Sequence, residues 1–290
     1  MESIELQEGE YILIIATEKY AKMERDIANL MGMDEMSLFL ELNEVGNECL
    51  DRENFDWDKY DELINDFVEK QVDFDDLDEI YIYHLGRHIK YPNELWTLNE
   101  VLLTETSLSQ FLKEYDIEFG AKKGKIQFFY KNKLITPEQI LVSGHFHLLA
   151  KRLGYLGEPD FCVNGFAFWS NAEKTMDGYY HDLQRGPEIL ENLERFLGIN
   201  LLREYEKQSK YYGIVFRKPI DKVIFDGKDD VVTHEQKVKC FLNYALKYLH
   251  DFYRNCEGGN NLMIRIKDTE KAVVDHCILI DEENIYEKEE

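Results

Sequence analysis

An α+β fold is what this chain predicts, and three observations carry it. Residues 16–68 hold three stretches with apolar residues at helical spacing. From about residue 78 onward, short alternating or apolar runs bounded by turn residues read as strands, with helices between them. A hydrophobic content of 44% with only five prolines in 290 residues supports a packed core rather than a disordered chain.

The elements follow in order. An apolar run at 11–15 precedes helical spacing over 16–31 and again over 36–50, where Leu38, Phe39, Leu42 and Val45 lie along one side. Over 55–68, Tyr60, Leu63, Ile64, Phe67 and Val68 share a helix face. The aspartates at 73–78 turn the chain into an alternating strand that reaches His84 and Gly86. A helix over 98–115 is interrupted at Thr104-Glu-Thr-Ser107, which offers a fresh N-cap. Residues 125–130 and 133–135 form a hairpin around Lys131 and Asn132, and Pro137 opens a helix continuing to about 153.

Farther on, Pro187 starts a helix and Gly198 stops it. Strands follow over 211–216 and 218–225. Thr233-His-Glu-Gln236 is a capping box for a helix to about 255, with Phe241, Ala245, Leu249 and Phe252 inward. Residues 262–267 and 272–280 then form a closing β-hairpin. The expected organisation is an acidic, mostly helical module over 1–77 and a core domain over 78–290, with an insertion at about 87–150.

Charge is unevenly spread. Residues 1–79 carry 25 Asp and Glu against 6 Lys and Arg, a net −19 of the chain's −24. Such a module repels nucleic acid, whose affinity for proteins comes largely from Lys and Arg at phosphates. It is either a solvated acidic face or a surface for a basic protein partner. Lys122, Lys123, Lys125, Lys131, Lys133, Lys151 and Arg152 gather in the insertion, where they balance the acidic module or face an anionic ligand. No window has the apolar length of a membrane span. The start has no secretory pattern, and Cys49, Cys162, Cys240, Cys256 and Cys277 stand far apart, so reduced thiols and a cytoplasmic location are expected.

The stretch richest in functional suggestion is 163–180. A glycine-led apolar run, Gly165-Phe166-Ala167-Phe168, breaks at Ser170-Asn171 into a helical pattern ending at Gly178-Tyr179. Upstream lies the strand with His84 and Gly86; downstream lie Tyr211-Tyr-Gly-Ile-Val-Phe216 and Lys218-Pro-Ile-Asp-Lys-Val-Ile-Phe225. This order resembles ADP-ribosyltransferases of the poly-ADP-ribose-polymerase type over residues 78–225. The resemblance implies a two-sheet core that binds NAD as substrate and transfers ADP-ribose to a macromolecule or to water.

On that resemblance, His84 orients the adenosine-side ribose and Tyr179 (or Tyr180) walls the nicotinamide pocket. Gly86, Gly165, Phe166 and Phe168 line the cofactor site, with Gly165 letting backbone approach the ligand closely. Two positions depart from the family. Ala167 stands where the family has a tyrosine stacking on nicotinamide, and Tyr212 stands at the catalytic glutamate. A phenol, with its ordinary pKa near 10, cannot replace a carboxylate opposite developing positive charge. Glu204 or Glu206 is the nearest substitute in sequence. The alternative is a non-enzymatic interaction or inhibitor protein with a degenerate cleft.

No metal site is expected. His84 and His88 share a strand face, but four residues of strand separate them by about 13 Å. His145 and His147 stand apart from them in sequence, and no cysteine pair has zinc-binding spacing.

Overall fold

The computed structural model describes residues 4–5, 11–12, 14–15, 17–51, 54–123, 125–142, 144–169, 183–254 and 261–280. Helices and mostly antiparallel strands are mixed along the chain, as an α+β protein requires. No helix among the described residues is long and apolar enough to cross a membrane. The chain divides into two compact units, and neither is continuous in sequence.

The first unit comprises Met1–Tyr83, Asn164–Thr175 and Phe216–Arg265. It contains the short strands β1 (Ile4–Glu5), β2 (Tyr11–Ile12), β3 (Ile14–Ile15), β4 (Leu50–Asp51) and β5 (Asn54–Phe55), and the start of β6 (Glu79–His88). Its helices are α1 (Tyr20–Leu30), α2 (Glu35–Glu48), α3 (Trp57–Gln71) and the long α10 (His234–Tyr253). Each start has a local cause. Asp34 accepts from the Ser37 amide, Asp56 accepts from the Lys59 amide, and Thr233 and Gln236 close the capping box. Gly32, in the left-handed region at φ +67°, turns the chain out of α1.

The α10 helix runs through the centre of this unit. Val238, Phe241, Leu242, Ala245, Leu246 and Leu249 are fully buried, and the helix packs against α2 and α3, whose Leu38, Leu42, Tyr60, Ile64 and Val68 are buried too. Phe252, expected inward, is instead 45% exposed and stacks on Tyr20. Part of the acidic surface is answered from within: Lys239 pairs with Glu69, and Lys247 reaches Asp61 at 2.6 Å. The expected 1–77 module therefore packs as one body with the late helix 234–253. Proximity in sequence conceals this, because the hydrophobic stripe of α3 has its partner more than 160 residues away.

Strands β11 (Asn164–Phe166), β13 (Val223–Phe225) and β14 (Met263–Ile266) extend the sheet of the first unit in the order β13-β14-β11-β6. Strand β3 pairs parallel with the start of β6. The expected neighbours 211–216 and 218–225 are separated. Strand β12 (Lys210–Pro219) borders β6, while β13 lies at the far edge beyond β14. The 3-10 turn Ile220–Lys222 breaks the run between them and lets the chain leave the strand without forming a hairpin.

The second unit comprises His84–Val163, Met176–Val215 and Ile266–Glu290. Strands β8 (Ile117–Lys122), β9 (Lys125–Tyr130) and β10 (Lys133–Ile135) form an antiparallel sheet. Lys131 and Asn132 both take positive φ, closing the expected tight hairpin. Around it lie α4 (Leu98–Leu103), α5 (Ser107–Glu114), α6 (Pro137–Leu141), α7 (His147–Arg152), α8 (Glu188–Leu197) and α9 (Leu202–Glu206). The expected single helix from Pro137 is two, with Gly144 at φ +68° between them. Phe111, Leu112, Ile126, Phe128, Leu149 and Leu190 are central to this unit's core.

The C-terminal segments do not pair with one another. Strand β14 pairs with β11, β15 (Ala272–Val273) pairs with β7 (Glu94–Leu95), and β16 (His276–Leu279) pairs with β12. The expected terminal hairpin is replaced by three separate long-range pairings. Asp268 and Glu270 between the runs resemble hairpin punctuation, but turn residues alone do not choose a partner strand.

Candidate functional site

Strand β6 changes its buried side midway, and the site originates there. Side chains alternate across a strand with period two. Ile80 and Ile82 on the even side are fully buried, whereas beyond them the odd-numbered Tyr83, Leu85 and Arg87 are buried. His84, Gly86 and His88 continue the even side and are left partly exposed. Arg87, on the other side, is held by the Gln184 and Ser209 carbonyls and by Glu206 at 3.6 Å, while Tyr205 donates to the Arg87 carbonyl. These contacts fix the end of β6 and thereby the side on which the histidines stand.

The two imidazoles lean toward each other over Gly86. Their ring centroids are 6.4 Å apart with planes inclined by 62°. A Cβ placed on Gly86 would lie 3.1 Å from His84 Nε2 and 3.4 Å from His88 Nε2. The backbone positions are far apart, but the bare glycine between them leaves room for both rings to tilt inward. Burial, with the neighbouring His84 second, holds the His88 imidazole down to about 3, so it is neutral at physiological pH.

Two tyrosines extend the cluster. The Tyr212 ring lies 6.5 Å from His88 and 6.0 Å from Tyr91, centroid to centroid. Pairing with β16 sets Tyr212 opposite Leu279 and Ile214 opposite Cys277. The Cys277 thiol is hydrogen-bonded to the Tyr91 hydroxyl and lies 3.7 Å from the Pro92 carbonyl. Burial pushes this thiol up, opposed by the Tyr91 bond, so Cys277 is no ready nucleophile. Its bond to Cys277 raises the Tyr91 phenol as well.

Of the expected site residues, His84, Gly86 and Tyr212 come together here, all in the second unit. The Gly165 group belongs to the first unit, and its surroundings are those of a core. A Cβ on Gly165 would collide with the Ile82 side chain and lie 3.0 Å from the Tyr83 carbonyl. The close approach Gly165 permits is therefore made by β6. Phe166 pairs with Tyr83 across the strands and is buried. Phe168 is fully buried, stacked on Tyr248 at 4.7 Å and near Phe241. Asn261 also accepts from its amide and donates to its carbonyl. Phe166 and Phe168 thus pack this unit rather than present a cofactor wall. Tyr179 and Tyr180 lie outside the described residues, as does the helix expected to carry them.

Neither substitute carboxylate joins the cluster: Glu206 is drawn to Arg87, and Glu204 pairs with Lys207 at 2.6 Å. Among the described residues, no third His, Cys, Asp or Glu gathers with the two histidines. Sequence reading passed over Tyr91, which lies just after β6, and Cys277, which the β12–β16 pairing brings beside it. The signal available for His88 was the repeat His84-x-Gly86-x-His88, a period-two pattern with the small residue at its centre. No protein-family model, curated protein or solved structure matches the chain.

Proposed function

We propose that this protein binds a nucleotide, NAD in an ADP-ribosyltransferase-like reading of the fold, on the face formed by His84, Gly86 and His88 with Tyr91 and Tyr212. The observation that carries this is the bare glycine between two imidazoles with two phenol rings beside them. A planar ring finds aromatic edges and faces there, and a ribose finds imidazole nitrogens as hydrogen-bond partners. The order of the His84 strand, the Gly165 strand and the Tyr212 strand along the chain supports the family reading.

Transfer chemistry has less support than binding. Cleavage of the nicotinamide bond builds positive charge at the ribose carbon, which a carboxylate stabilises and a neutral phenol does not. Binding with slow or no release of nicotinamide is the behaviour these residues favour.

Calorimetric titration of NAD into the wild-type chain and His84→Ala, with nicotinamide followed in the same samples, tests this. Saturable binding that weakens at least about tenfold, or about 1.4 kcal/mol, in the variant supports the reading. An absence of heat at millimolar NAD would reject it, and rapid nicotinamide release would reject the assignment of slow chemistry.

A further inference from the structure

The His84–Gly86–His88 arrangement carries a second consequence that does not depend on nucleotide binding. Strand geometry keeps the Cα atoms of residues four apart at about 13 Å. Here the rings close most of that distance, and both Nε2 atoms point over the same glycine. We propose that His84 and His88 together bind a divalent transition-metal ion of the zinc, nickel or copper class, held between their Nε2 atoms above Gly86.

The chemistry matches the donors. Imidazole nitrogen is a preferred ligand of these ions, and the neutral ring is the binding form. His84 and His88 are intermediate in burial rather than sealed in the core, and water would fill the remaining positions of an ion held there. With two protein ligands and no third His, Cys, Asp or Glu in the group among the described residues, the site is open and exchangeable rather than structural. Gly86 is integral, because any side chain there would occupy the space the ion needs.

The test is calorimetric titration of Zn2+ into the full chain carrying His145→Gln and His147→Gln, which removes the other closely spaced, exposed histidine pair. The same titration is run with His84→Gln, His88→Gln or Gly86→Val added, and far-UV circular dichroism reports whether each variant is folded. One saturable equivalent is expected, weakened at least about tenfold by each of the three changes. Zn2+ should also raise the melting temperature of the parent but not of the variants. Should His88→Gln fail to fold, His84→Gln and Gly86→Val decide the matter, the latter leaving both ligands in place. Absence of a saturable equivalent, or equal affinity in His84→Gln and the parent, would overturn the proposal. Titrating NAD separately, in the absence of metal, keeps the two outcomes distinct: loss of one activity leaves the other standing.

Discussion

The hydroxyl of Tyr60 on α3 lies 2.7 Å from Nδ1 of His250 on α10, deep in the first unit. Above the imidazole sits Gly46 of α2, so close that a Cβ there would lie 2.5 Å from His250 Nε2. Three helices therefore meet at one hydrogen-bonded histidine that is 3% exposed.

Gly46→Ala should destabilise the protein although alanine favours a helix. The propensity gain is about 1 kcal/mol, while forcing a methyl group into a filled site costs roughly 1–3 kcal/mol. A net loss of up to about 2 kcal/mol is expected from urea unfolding, with an unchanged denaturant slope. A neutral or stabilising result would show that His250 rotates aside freely.

Acid should weaken the fold through the same histidine. Burial first, then the Arg254 charge, holds His250 down to about 4 from its ordinary 6.5. Its folded pKa is depressed, so the unfolded chain takes up the proton first as pH falls. The contribution of the neutral ring is complete above pH 6.5 and is lost progressively toward pH 4. That loss is about 1.4 kcal/mol per pH unit. Urea midpoints at pH 7, 6 and 5 should show the decline, and His250→Gln should remove about one proton of uptake on unfolding.

The two strand glycines should answer differently to alanine. At Gly165 the new methyl group meets the Ile82 side chain and the Tyr83 backbone, which cannot yield without breaking the β6–β11 pairing. At Gly86 it meets only imidazole rings that are partly exposed and can tilt away. Gly165→Ala is expected to cost about 2 kcal/mol or more, and Gly86→Ala under about 1 kcal/mol, in paired thermal melts. The reverse order would contradict these packing assignments.

Thr17 ties the segment after β3 to β6 and β11. Its hydroxyl donates to the Ala167 carbonyl at 2.6 Å and lies 3.0 Å from the Tyr83 hydroxyl, all buried. Thr17→Val keeps the shape and removes the bonds, leaving buried polar groups without this partner. A loss of roughly 1–3 kcal/mol is expected by urea unfolding. A loss no larger than surface substitutions produce would mean that water replaces the hydroxyl.

Much of the secondary structure was legible because its causes are local. The Thr233–Gln236 box, the break after Thr104 and Gly198 after Leu197 all specify helix ends through residues a few positions apart. The Lys131 and Asn132 turn was legible for the same reason. Strand partners were not. The runs 262–267 and 272–280 look like a hairpin, yet their hydrogen bonds go to residues 163–166, 94–95 and 211–215. Hydrophobic alternation says that a strand has a buried side but not which strand will border it.

For the site, the sequence by itself determined that His84, Gly86 and His88 share one side of a strand, because the period of a strand is invariant. It also determined that Tyr212 stands on a second strand and that the first 79 residues are strongly acidic. Only the tertiary structure decided that both histidines tilt over Gly86 and that Tyr212 and Tyr91 complete the cluster. It alone showed that Gly165 serves the packing of β6. Alternation is set within a few residues, whereas the direction in which a side chain leans depends on the free volume left by neighbours the chain brings from far away.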